Sequence, residues 1–151
     1  MVDDRMTAMR KDRMAVLARG STARLHELWR AVGLDPAYRM LRGPEFGLVM
    51  LRGRVGGTGQ AFNFGEASVT RASVRLEDGS IGHAMALGRD IAKAKLSAVI
   101  DALCSSDDMA ARIDVAVIEP IRAELNEADE TERRQTAATR VDFFTMARGE
   151  D

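Results

Sequence analysis

Four arginines in the middle of this 151-residue chain stand at strand-like intervals: Arg52 and Arg54, then Arg71 and Arg75. Successive side chains of an extended strand point to opposite faces, so this spacing puts each pair on one side of a sheet. Arginine suits phosphate or carboxylate contact because its planar guanidinium presents paired donors. A solvated charged face is the other reading of the same residues. Between the two pairs lies Gly56-Gly57-Thr58-Gly59, which has the glycine density of a phosphate-cradling loop. It lacks the Gly-Lys-Ser/Thr of a Walker loop and continues as Gln60-Ala61-Phe62, with no helix start evident before Asp90. An irregular crossing between strands is the simpler account of those glycines.

Other chemistries find little to work with. His26 and His83 fall on different elements, and no Cys or carboxylate stands at ligand spacing beside them, so no metal site is expected. Cys104 is the single cysteine, which excludes an intrachain disulfide and suits a cytoplasmic chain; at a helix end it reads as a small buried hydrophobe. Spacing suggests no Ser/His/Asp set. Nucleic acid is disfavoured by a net charge of −1 and by only 5% aromatic residues to stack bases. No apolar run approaches the roughly 20 residues that span a bilayer, and the basic N-terminus lacks the apolar stretch of a secretory signal. Near the C-terminus Val141, Phe143, Phe144 and Met146 form a dense apolar cluster. It is either packed on the chain's own core or a candidate subunit interface.

The elements that must position these residues make an α+β domain, with apolar content of 46% and charged content of 30%. One domain spans residues 1–151: N-terminal helices over 1–33, a sheet over 38–88, C-terminal helices over 90–138 and the apolar tail at 140–148. Leu25, Leu28, Trp29 and Val32 recur at helical spacing, with Ser21 or Thr22 to cap that helix and Gly33 to end it. Asp90 is placed to cap a helix through Leu103, buried along Ala92, Leu96, Val99 and Leu103. Pro120 starts a further helix or kinks a continuous one. The expected sheet is central and antiparallel, with about four strands and helices covering one face. Tyr38–Arg42 and Phe46–Val55 are separated by a turn at Gly43-Pro44-Glu45, and residues 67–76 and 81–87 complete it. Val49, Leu51 and Val55 are expected on the apolar face, as are Thr70, Ala72, Val74 and Leu76. A two-residue turn at Asp78-Gly79 would set Leu76 opposite Ile81 and Val74 opposite His83. His83 would then be a neutral imidazole packed beside Val74, and Arg71 and Arg75 would lie near Gly82, Ala84 and Ala86. Charge is uneven: residues 38–89 hold seven arginines against four acids, and residues 107–135 nine acids against four arginines.

One resemblance goes further. GLVMLRGRVGGTGQAFNFGEASVTRASVRLEDGSIGHAMALGRD, then Ile100–Leu103, then RVDFFTMARG at Arg140–Gly149, closely resemble the PhnG family, the G subunit of the bacterial carbon–phosphorus lyase core complex. The likeness runs from about Gly47 to the end. It implies an accessory or scaffolding subunit of a transferase that replaces adenine of ATP with a phosphonate, giving α-D-ribose 1-methylphosphonate 5-triphosphate. The implied partners are the H, I and J subunits and a nucleotide-binding L subunit. ATP is then a substrate of the complex, with no cofactor bound by this chain alone. The nucleosidase chemistry is attributed to the I subunit, and no catalytic residue carries over. The family pattern can have Tyr where His83 stands, which argues against a catalytic histidine there. The alternative is an independent phosphate-binding domain or small enzyme using the Gly56–Gly59 loop and the sheet arginines.

Overall fold

A computed structural model describes residues 2–56 and 58–139. Helices α1 (Val2–Arg19) and α2 (Thr22–Val32) lead into strands β1 (Tyr38–Arg54), β2 (Ala61–Leu76) and β3 (Ile81–Leu87). Helices α3 (Ile91–Leu103), α4 (Asp107–Ile113) and α5 (Glu119–Ala138) follow, the last two joined by a π-helical turn at Asp114–Ile118. The sheet is antiparallel in the order β1-β2-β3. The α+β class and the flanking helices are as expected, and the strand count among the described residues is three rather than four.

The missing strand break is at Gly43-Pro44-Glu45. Instead of turning, β1 bulges there. Its pairing with β2 steps irregularly between Met40 and Arg42 and again between Arg42 and Glu45, then resumes in the same direction. Both flanks keep β2 as partner, so the extra residues bend the strand locally without reversing it. The tail residues Val141, Phe143, Phe144 and Met146, and Gly57, lie outside the described residues.

The β2–β3 hairpin differs in register. Gly79 N donates to Leu76 O at 3.1 Å and Leu76 N donates to Ser80 O at 2.9 Å, which makes a turn over Glu77-Asp78-Gly79. Gly79 takes φ 90°, a conformation in which a side chain would clash with its own backbone. The loop is one residue longer than a two-residue turn, so Arg75 pairs with Ile81, Ser73 with His83 and Val74 with Gly82. A one-residue slip turns every side chain of the strand to the other face. His83 is therefore exposed on the open face and not packed beside Val74, and Arg71 and Arg75 stand opposite Met85 and Ile81.

The covered face holds Ala72, Val74, Leu76, Ala84 and, from α3, Ala94, Ala98, Val99 and Ala102 in one buried cluster. A second cluster joins Leu17, Leu25, Ile100, Ile113, Val117, Ile118 and Ile121 among the helices, and Trp29 touches both. Burying each such aliphatic side chain is worth about 1.5–3 kcal/mol. Asp90 caps α3, accepting from Lys93 N at 2.9 Å and from the Thr22 hydroxyl. Pro120 sits in the first turn of α5. It has no N–H for the Ala116 carbonyl, and its ring would clash there in a regular helix; the wide π turn before it lets the helical path continue.

Two stability predictions follow from this packing. A Cβ at Gly82 would stand against Ala98 O and Ala102 N, with Ala102 Cβ only 2.8 Å away. Gly82→Ala should therefore cost about 3 kcal/mol or more by forcing α3 off the sheet, read from urea unfolding. Asp90→Ala should cost about 1 kcal/mol at pH 7. Hydrogen bonds from Thr22 and then Lys93 N hold the Asp90 carboxyl below its ordinary range. Its contribution is thus complete above the unfolded value near pH ~4 and fades as pH falls through the lower folded value. The difference between wild type and variant should shrink in that acid window.

Candidate functional site

Strand register gathers the polar residues of the open sheet face into rows. Arg39 of β1 stands opposite Arg75 of β2, which stands opposite Ile81 of β3. The next row is Arg42, Ser73 and His83, and the next Glu45, Arg71 and Met85. Four arginines thus share one face with a single carboxylate. Arg42 Nε and Arg71 Nε each donate to Glu45 Oε1 at 2.8 Å. Those two hydrogen bonds, Arg42's first, keep the Glu45 carboxyl below its usual range. His83 Nδ1 and Ser73 Oγ are 2.8 Å apart.

The Arg39–Arg75 row is different. Among the described residues neither has an ion-pair partner, and Arg75 Nε is shut off from solvent without a hydrogen bond. Like charges directly opposite each other on neighbouring strands are unfavourable, and an unpaired buried donor adds to the cost. An anion lying across the row would relieve both.

The other arginine pair is elsewhere. Arg52 pairs with Asn63 and Arg54 with Ala61, at the far end of the β1–β2 hairpin. Arg54 lies nine positions beyond Glu45 along β1, about 30 Å of strand. Gly56, Thr58 and Gly59 form the tip there, with Gly59 N donating to Val55 O at 3.3 Å, and no helix follows them. The expected site residues therefore split into two groups, Arg71 and Arg75 at the base and Arg52, Arg54 and the loop at the tip. Arg39, Arg42, Glu45, Ser73 and His83 complete the base group. Ser73 alternates with Arg71 and Arg75 and could have been found that way, whereas Arg42 and His83 join this face only through the register steps of β1 and the longer β2–β3 turn.

Elsewhere several arginines are taken up by ion pairs between elements. A crevice of about 790 Å³ beside α1, α3 and α4 contains Arg10, Arg13, Asp101, Cys104 and Asp114. Arg10 pairs with Asp101 and Arg13 with Asp114 through two hydrogen bonds each, at 2.6–2.9 Å. No group of three or more His, Cys, Asp or Glu among the described residues could hold a metal ion. No described helix is long and apolar enough to cross a membrane.

What these residues build is an α+β domain that offers an anion, or an acidic surface, an arginine-rich sheet face. A family model described as "Phosphonate metabolism protein PhnG" matches residues 8–149, and the chain belongs to that family. It is 48% identical over 149 residues to a Rhizobium meliloti (strain 1021) protein named "Alpha-D-ribose 1-methylphosphonate 5-triphosphate synthase subunit PhnG", covering 99% of this chain and 95% of that one.

Cys104 supplies the prediction for this region. Burial pushes its thiol up to about 11, too high for appreciable thiolate at neutral pH. Native chain at pH 8 should react with a disulfide reagent at least ~100-fold more slowly than urea-unfolded chain. Comparable rates would mean that the thiol is open to solvent.

Proposed function

We propose that this chain is an accessory subunit of the enzyme that replaces adenine of ATP with a phosphonate, yielding α-D-ribose 1-methylphosphonate 5-triphosphate. The observation that carries the reading is the end-to-end, 48% likeness to a protein named as a subunit of that synthase. In this reading the chain works in the cytoplasm with the H, I and J subunits and the nucleotide-binding L subunit. It brings no cofactor of its own, and the reacting groups come from its partners.

The arginine face has a role within that assembly. The nucleotide substrate and the product both carry triphosphate chains, and the Arg39–Arg75 row has unspent donors for such a group. An arginine pair holding a phosphate positions and neutralises it without taking part in bond making. Arg42 and Arg71, already sharing Glu45, flank the row and hold less free charge.

The test is turnover in the reconstituted complex. Arg39→Gln/Arg75→Gln should leave the isolated chain at least as stable as wild type, because it removes two like charges set directly opposite each other on neighbouring strands. The complex should still assemble, and formation of the triphosphate product should fall at least tenfold, about the effect of losing one charged phosphate contact. Arg71→Gln should have a smaller effect. Wild-type turnover in the double variant would remove the arginines from the mechanism. The rival reading, a phosphate-binding domain that works alone, is favoured by the same arginines. It predicts phosphate-ester binding by the isolated chain and no co-purifying subunits.

A further inference from the structure

Among the described residues, the outer half of the β1–β2 hairpin has no covering layer. Strand β3 pairs with β2 only from Val69 to Arg75, so residues 61–68 of β2 have an open edge. The outer edge of β1 has no strand partner among the described residues. None of residues 46–56 or 58–66 is buried. Arg89, placed 5.2 Å over the Phe46 ring, marks where the covered part of the sheet ends.

Apolar side chains stand on both faces of this arm, with Glu66, opposite Met50, its one carboxylate. Asn63 Nδ2 donates to Met50 Sδ at 3.7 Å, which puts Asn63 on the same side as Met50, Leu48 and Phe46. A Cβ on Gly53 would lie 3.0 Å from the Phe64 ring, which puts Phe64 on the opposite side with Gly53, Leu51 and Val49. Phe62 joins it there, edge to face, with ring centroids 6.3 Å apart. The register step between Leu51 and Arg52 produces this arrangement by adding one residue to β2. Leu48 and Met50 are each 62% exposed and Phe64 60%. A two-stranded ribbon is marginal in water by itself, and exposed apolar clusters of this size mark contact surfaces.

We infer that the arm, residues 46–66, is the insertion element that docks this chain into a different subunit of the assembly. The receiving site is a groove with two apolar walls, one for each face of the ribbon, and carboxylates at its inner end for Arg52 and Arg54. A single flat surface would leave one face of the ribbon wet. Charge argues against a second copy of this chain as the occupant. Two arms laid antiparallel would bring Arg52 and Arg54 onto the base of the neighbour, where Arg39, Arg42, Arg71, Arg75 and Arg89 outnumber the single carboxylate of Glu45, itself already shared by Arg42 and Arg71. Tip-to-tip pairing would set the same two arginines against each other. Like charges meet either way. The acidic face of α5 is convex and could cover only one side. The inference rests on the subunit reading above but uses surfaces that the arginine row does not touch.

The experiment co-expresses the chain with the remaining synthase subunits and measures recovery on a tagged partner. Wild type must be recovered; if it is not, the subunit reading itself fails. Two variants separate the faces: Leu48→Ser/Met50→Ser and Phe62→Ser/Phe64→Ser. Each should keep the wild-type melting temperature as an isolated chain, since the altered side chains contact solvent. Each should lose about a hundredfold or more in affinity for the complex, as expected when two anchoring side chains are truncated. Arg52→Glu/Arg54→Glu should weaken recovery too, and less steeply at high salt. Normal recovery of both apolar variants would overturn the inference. So would an isolated wild-type chain that dimerises through the arm while the variants are monomeric yet still join the complex. If only one of the two variants fails, the two-walled groove is wrong and a one-sided contact replaces it.

Discussion

Everything in the folded half of the molecule depends on how closely α3 lies against the sheet. Gly82 has no side chain, and Ala94, Ala98 and Ala102 present the smallest ones, so backbone meets backbone along that seam. Asp101 completes it. Its Oδ2 accepts the His83 backbone N–H at 2.8 Å and an Arg10 Nη2 hydrogen at 2.7 Å, while Oδ1 takes Arg10 Nε. One nearly buried carboxylate thereby ties the edge strand to α3 and α3 to α1. It also closes part of the β3 edge to foreign strands, a liability that exposed sheets must manage.

That seam sets the position of the arginine row. Because α3 takes one face of β2 and β3, the residues alternating with Ala72, Val74 and Leu76 must face the other way. Arg71, Ser73 and Arg75 are those residues, and β1 adds Arg39 and Arg42 across the ladder. The basic face is thus a consequence of where the small residues fall. Its opposite number is the helical layer, where Arg10, Arg13, Arg19, Arg24 and Arg122 are all paired with carboxylates. The arginines that join helices are neutralised, whereas Arg39 and Arg75 on the sheet have no ion-pair partner among the described residues.

Much of this was legible in the residues and part was not. Local chemistry was reliable: Ser21, Gly33 and Asp90 bound their helices as their cap preferences imply, and the Thr70–Leu76 alternation marked the buried face. Two features were set by geometry that a short stretch does not reveal. A Gly-Pro pair serves equally in a turn and in a bulge, and only the continued pairing of β1 with β2 on both sides of it decides between them. An Asp-Gly pair fits turns of two lengths, and the extra residue moved His83 to the open face. Val49, Leu51 and Val55 showed a further limit. Their alternation correctly indicated a strand, but apolar character cannot say whether the covering layer belongs to the same chain, and among the described residues Val49 and Val55 stay exposed. Of the candidate site, Arg71 and Arg75 were found by spacing, while Arg39, inside the expected strand Tyr38–Arg42, was not singled out because its place opposite Arg75 depends on the β1–β2 register.

The contrast between the two halves of the β1–β2 hairpin has a physical logic. Near its base the hairpin gains a third strand and a helix, and there buried apolar area repays the entropy of ordering the chain. Beyond Phe46 the ladder continues with neither, yet Leu48, Met50, Phe62 and Phe64 are as apolar as core residues. A sequence under pressure only to stay soluble would carry Lys, Glu or Thr at those exposed positions. Retaining Leu48, Met50, Phe62 and Phe64 is favourable only if their burial is deferred to a later contact. Preformed pairing then lowers the cost of that contact, because a ribbon already in register loses less conformational entropy on docking than a loose loop would. The compact half gives the chain its stability, and the arm holds the apolar surface that this stability allows to stay exposed until a partner covers it.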